Sequence, residues 1–165
     1  MFHNLEWSKE LNVQYDASTF DTDPFEPQPD GVKTIFPFWV GSRNGKGYVE
    51  LPYTLSQDST LFVILQETSN DIWKQKLTWI ESRGGMALLN VHPDYVAFGN
   101  ARPARDEFAV RHYAEFLNWV KETRSNDYWH TLPMRVADFC RKWSNRALPL
   151  VMAAQVNAPA VLLER

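Results

Sequence analysis

The stretch Met86–Ala87–Leu88–Leu89–Asn90–Val91–His92–Pro93–Asp94–Tyr95 runs apolar until it meets a histidine, and a proline then stops any strand from continuing. An imidazole at such a stop can take up and release a proton near neutral pH, which few side chains do unassisted. A histidine before a Pro-Asp turn also serves in many proteins only to bond turn backbone, and both roles are open from the residues alone. Asp58 follows a candidate strand and is placed to orient His92 and raise its basicity, or else to cap a turn. Asp94 has the same two roles open, with the turn role favoured by the proline before it.

These side chains need elements to hold them. The apolar run before His92 is too short to span a membrane and reads as a strand buried on both faces. In an α/β barrel, reacting groups sit at the carboxyl ends of such strands, where the loops converge. The spacing of Ile72, Trp73, Leu77, Trp79 and Ile80 predicts a helix over 70–83, capped by Ser69 or Asn70 and ended by Gly84–Gly85. Upstream, Thr34–Val40 and Tyr48–Thr54 read as strands joined by a glycine-rich hairpin. Pro37 and Pro52 suit these strands to an edge or a bulge. Leu61–Leu65 is a short apolar piece of unassigned type.

Downstream, a second helix is expected from Asp106, with Ala109, Tyr113, Phe116, Leu117 and Val120 inward. Tyr128–Trp129–His130 reads as a short strand. Thr131 caps a third helix with Pro133 in its first turn and Val136, Phe139, Cys140 and Trp143 toward the core. Residues 1–12 read as the remnant of a helix without an N-cap, with Leu5, Trp7 and Leu11 apolar. Residues 15–31 form a long acidic loop broken by three prolines, and 147–165 is an apolar tail with no period that assigns it. Helix, glycine turn and buried strand in succession make the fold class α/β, in a single domain of 165 residues.

Composition narrows the partners. A formal net charge of −3 gives no support to nucleic-acid or anionic-membrane binding, and no long apolar stretch suggests a membrane span. With Cys140 the single cysteine, no internal disulfide can form, and its apolar surroundings make it a small buried hydrophobe. The N-terminal residues lack the basic and apolar regions of a secretion signal, so a cytoplasmic location is expected. Aromatic residues reach 14% of the chain; their flat faces suit sugar rings but equally fill cores.

Several segments in order carry a more specific signal: His3–Asn4–Leu5–Glu6–Trp7, Tyr15–Asp16–Ala17–Ser18, Asp21–Thr22–Asp23–Pro24–Phe25–Glu26–Pro27, Glu50–Leu51–Pro52–Tyr53–Thr54, Gln57–Asp58, Asp71–Ile72–Trp73 and Gly84–Tyr95. Together, to about Trp143, they resemble the carboxyl-terminal half of a polysaccharide deacetylase-like protein, the group with the chitooligosaccharide deacetylase (NodB-homology) domain. The resemblance implies a partial, irregular (β/α) barrel lacking its N-terminal strands, with residues 13–146 as the barrel portion. It also implies hydrolysis of N-acetyl groups on sugars, using a zinc-like divalent metal held by one aspartate and two histidines, and a second aspartate as base. Leu89–Asn90–Val91–His92–Pro93 matches the family's Leu-x-x-His-Pro setting, so the resemblance makes His92 the general acid. By the same resemblance Asp21, Asp23, Phe25 and Tyr95 are substrate-binding candidates.

The family's Thr-Phe-Asp-Asp segment and paired histidines are absent, and so is its arginine motif. Thr19–Phe20–Asp21–Thr22–Asp23 imitates the first of these, but no buried strand leads into it and no histidine pair follows before His92. Hence no metal is expected on this chain alone, which is expected to be inactive without the missing half. Its expected partners are an acetylated sugar or oligosaccharide, and either that missing half or a second copy of itself. Two other readings stay open: a non-catalytic carbohydrate-binding or assembly module, and a truncated product without activity. Trp73 and Trp79 are expected in the core, and His112 and His130 as partly exposed structural residues.

Overall fold

The computed structural model of the protein describes residues 4–22, 31–41, 45–99, 102–144 and 160–164. Strands β1 (Tyr15–Asp16), β2 (Phe38–Gly41) and β3 (Gly47–Glu50) form a sheet in the order β1-β3-β2, with β1 parallel and β2 antiparallel to β3. Strands β4 (Met86–Leu89), β7 (Tyr128–His130) and β8 (Ala160–Glu164) form an all-parallel sheet in the order β4-β8-β7. A short parallel pair joins β5 (Val96–Ala97) to β6 (Phe108–Ala109). The helices are α1 (Leu5–Ser8), α2 (Asp71–Glu81), α3 (Arg111–Arg124) and α4 (Pro133–Ser144), with a π-helix at Ser59–Ile64 and a 3₁₀ turn at Pro93–Tyr95. The class is α/β, and among the described residues the strands close into no barrel.

All four residues of β4 are buried, and the strand's period of two divides them between two cores. Ala87 and Leu89 join Trp73, Leu77, Ile80 and Phe116 from α2 and α3. Met86 and Leu88 join Val49 of β3, Phe20 and Leu51 from the segments that follow β1 and β3, and Val136 and Ala137 of α4. The unbroken apolar run is the sequence trace of this double burial.

Thr54 joins the two larger sheets. Its buried hydroxyl donates to the Met86 carbonyl at 2.8 Å and accepts from the Leu88 N–H at 3.1 Å. The N–H groups of Thr54 and Leu55 both donate to the Leu88 carbonyl, at 3.0 and 3.2 Å. Residues 54–55 therefore run along β4 where a regular strand would pair. Further upstream, Phe20 bridges Tyr53 in parallel. Buried Glu50 holds Thr19 through its amide at 3.2 Å and its hydroxyl at 2.5 Å. The polypeptide stretches ending near 20, 55, 89 and 130 thus run in one sense, and the loops after them leave the same side.

Some expected elements shift. Helix α2 ends at Glu81, and Gly84 takes a φ of 63°, which a side chain would oppose. A Cβ on Gly85 would collide with the Ile35 side chain. Asn70 stands at the cap position, but its amide instead donates to the His112 carbonyl at 2.9 Å, while Ser69 Oγ accepts from the Asp71 N–H. Trp73 is buried as expected, but Trp79 is not: it is 41% exposed. At about 100° per residue it stands roughly 200° around the helix from Leu77, off the buried stripe. Lys76 and Arg83 lie over its ring instead, at 4.9 and 4.2 Å from the centroid.

The second helix begins at Arg111 rather than Asp106, because Phe108–Ala109 pairs with Val96–Ala97 as a strand. His112 is buried rather than partly exposed, its ring stacked on Phe62 at 4.9 Å, whereas His130 is exposed. In α4, Val136 and Ala137 face the core, but Phe139 is exposed and meets Trp129 edge-on at 5.8 Å. Cys140 is half-buried, and burial pushes its thiol up to about 11. The N-terminal helix does have a cap: Asn4 Oδ1 accepts from the Glu6 N–H at 3.0 Å. That helix is only four residues long, leaves Trp7 and Leu11 exposed, and is tied to β3 by the Tyr48 hydroxyl, which donates to the Leu5 carbonyl at 3.0 Å. From the unassigned tail, Ala160–Glu164 enters as the middle strand of the parallel sheet.

Two outcomes follow for stability. Thr54→Val keeps the side chain's shape but leaves the Leu88 N–H and Met86 carbonyl without its hydroxyl, so urea unfolding should show a loss of about 2 kcal/mol. His112 is held below its ordinary 6.5, first by burial and then by the neighbouring Arg111 charge. The unfolded chain therefore binds the proton more readily, and the folded state loses stability as pH falls below 6.5. His112→Phe should make the fall in urea midpoint between about pH 7.5 and about pH 5 smaller than in the wild type.

Candidate functional site

Where β4 ends, Asn90 and Val91 carry the chain on to His92, whose extended backbone (φ −106°, ψ 114°) is the conformation a following proline favours. Pro93 opens the 3₁₀ turn, and the Tyr95 N–H donates back to the His92 carbonyl at 3.0 Å. This anchors the histidine main chain at the strand exit. On the neighbouring segment, the chain leaves Leu55 and reaches Asp58, which opens the π-helix.

Asp58 is fully buried, at 0% exposure, and both of its oxygens are used. Oδ2 accepts the His92 backbone N–H at 2.7 Å. Oδ1 accepts the Ser59 N–H at 2.8 Å and lies 2.7 Å from Nδ1 of the His92 ring. A carboxylate already accepting two main-chain N–H groups presents the ring with an acceptor, so Nδ1 carries the hydrogen and Nε2 is the nitrogen available for proton exchange. The His92 side chain is 38% exposed, while the carboxylate behind it is sealed from water. Main chain and ring are gripped by one side chain, which fixes the orientation of the imidazole.

The other expected site residues fall as follows. Tyr95 is half-buried, with its ring edge-on to that of His92 at 5.6 Å between centroids. Asp21 is only 4% exposed and pairs through Oδ2 with Lys76 Nζ at 2.7 Å; its Oδ1 has no hydrogen-bond partner among the described residues. It stands at the end of the segment paired with Tyr53, not against His92. Asp23 and Phe25 lie outside the described residues. Asp94 is exposed, and the carboxylate that meets His92 is that of Asp58. Among the described residues no three of His, Cys, Asp and Glu gather around a common point that could hold an ion.

Three residues not singled out in the sequence complete the arrangement. Gln57 Nε2 donates to the Tyr53 hydroxyl at 3.2 Å, and Asn90 Nδ2 donates to Gln57 Oε1 at 3.1 Å. The Asp58 N–H reaches the Asn90 carbonyl at 3.4 Å. Their positions did carry a trace: Gln57 directly precedes Asp58, and Asn90 stands two residues before His92, the spacing of one face of an extended chain.

Asp58→Asn supplies one acceptor oxygen to three donors, and its amide would face one of them. The variant should lose about 1–3 kcal/mol in urea unfolding. Where the amide faces the ring, Nδ1 must become the acceptor. Two-bond 1H–15N correlation spectra of neutral His92 should then show the hydrogen moving from Nδ1 to Nε2.

No helix among the described residues is long and apolar enough to cross a membrane. No family model, no curated protein and no solved structure matches the chain.

Proposed function

We propose that the chain corresponds to the carboxyl-terminal half of a polysaccharide deacetylase-like protein, a partial, irregular (β/α) barrel without the metal-binding half, in which His92 donates the proton that releases an amine from an N-acetylated sugar. The observation that carries this reading is the grip of buried Asp58 on both the ring and the main chain of a half-exposed histidine at a strand exit. The resemblance of Leu89–Pro93 to the family's acid motif and the common direction of the neighbouring strands support it.

The chemistry asks for such a group. In amide hydrolysis, water oxygen bonds to the carbonyl carbon, the C–N bond breaks, and its electron pair leaves with nitrogen. That nitrogen departs as an amine only by taking up a proton, which Nε2 of a protonated His92 supplies. Asp58 keeps the ring from rotating away, and regaining a proton from water restores the acid. Proton donation typically contributes about 10²–10⁴-fold to such rates. Carbonyl activation and water deprotonation are further requirements of the reaction, and the resemblance assigns them to motifs this sequence does not contain.

The test is titration of the chain with N-acetylated chitotriose, following the His92 ring nitrogens by NMR. Saturable shifts at His92, absent with cellotriose, are expected, while the chain by itself releases no acetate. Saturation that leaves the ring unchanged, or acetate release that survives His92→Ala, would overturn the reading.

A further inference from the structure

We infer that Asn90 is the residue by which this site distinguishes an N-acetyl group from an O-acetyl ester. The inference rests on the acid role of His92 proposed above and adds a recognition element to it. Asn90 Nδ2 is committed to Gln57 Oε1 at 3.1 Å, and Gln57 is itself oriented by donating Nε2 to the Tyr53 hydroxyl at 3.2 Å. The order of donors along this chain leaves Asn90 Oδ1 as an acceptor that meets no donor among the described residues. Both amide side chains are half-buried, so they are ordered and still reachable.

Asn90 and His92 are two residues apart at the strand exit, and their side chains meet the consecutive residues Gln57 and Asp58 of one neighbouring segment, which places both on the same side. A nitrogen atom lying between the two side chains can hydrogen-bond to both. An amide nitrogen seated there directs its N–H to Asn90 Oδ1, which leaves its developing lone pair turned toward Nε2 of His92. An ester oxygen in the same place has no hydrogen to offer and sets a lone pair against the Asn90 oxygen. The acceptor therefore rewards the amide and penalises the ester. It does so at the atom that must leave.

The direction of the hydrogen-bond chain makes the idea sharp. Were the chain reversed, with Tyr53 donating to Gln57 and Gln57 donating to Asn90, an NH₂ group would face the ligand and the ester would be favoured. Asn90→Asp can take the amide of a turned Gln57 on one carboxylate oxygen, yet it keeps the other toward the ligand.

The experiment compares binding of two β-1,4-linked glucose-type trisaccharides, one carrying 2-acetamido groups and the other 2-O-acetyl groups. Wild-type protein should prefer the acetamido ligand by about tenfold or more, the order of one well-placed hydrogen bond. Asn90→Ala should bring the ratio close to unity, and Asn90→Asp should retain it. Loss of packing alone would weaken both ligands alike and leave the ratio unchanged, so an unaltered ratio in a folded Asn90→Ala protein overturns the inference. So does a wild-type preference for the ester. Absence of binding to either ligand overturns the acid reading and this inference together. Binding that shifts the His92 ring but ignores Asn90 overturns this inference alone.

Discussion

A carboxylate with no access to water has to be satisfied by the protein, and Asp58 imposes that demand on everything around it. Its three partners come from two places: the first turn of the π-helix, and the residue that ends the path out of β4. Neither segment can drift without leaving a buried charge unpaired, a cost of several kcal/mol on the usual scale. The orientation of the imidazole is thus a consequence of folding. It does not have to be won when a ligand arrives.

The demand can be met because the strands beneath are held in register. Thr54 turns a side-chain hydroxyl into part of the β4 ladder, and the amides of residues 54 and 55 share one Leu88 carbonyl. This brings the chain leaving Leu55 alongside the chain leaving Leu89, so that Gln57 meets Asn90 while Asp58 meets His92. Two polar contacts, side by side, mark the place where apolar packing stops. The π-helix that follows Asp58 fits this geometry. Asp58 opens it in ordinary right-handed helical backbone, and such wide turns are enriched where proteins place function.

Polarity is distributed accordingly. Up to Leu89 the strand feeds two hydrophobic cores; beyond it Val91 and Tyr95 still pack on one of them, while Asn90 and His92 meet polar partners. Burial of α2 through Trp73, Leu77 and Ile80 closes one side of the strand, and Val136 with Ala137 of α4 helps close the other. A strand packed on both faces can end in only one kind of environment that water reaches, and that is where the histidine stands.

The one-dimensional pattern was enough to place β4, α2, the turn at Gly84–Gly85 and the short strand at Tyr128–His130, because each is written in local periodicity or in residues with few backbone options. It was also enough to single out His92 and Asp58 by type and by position after apolar segments. It left a turn-capping role equally open for Asp58, and only folding shows its carboxylate gripping the ring. Trp79, Phe139 and His112 were misplaced because apolar or polar type does not say where around a helix a side chain points once the neighbours are chosen. Strand β6 hid inside an apparent helix start, and the middle strand Ala160–Glu164 carried no readable period, since its partners lie some 30 and 75 residues earlier in the chain. The Tyr53–Gln57–Asn90 chain was equally hidden: its members are polar residues of common types, and Asn90 joins the other two only by tertiary pairing of segments more than 30 residues apart. Chemistry-bearing types and local backbone preferences are properties of neighbouring residues, whereas which donor meets which acceptor is decided by long-range packing.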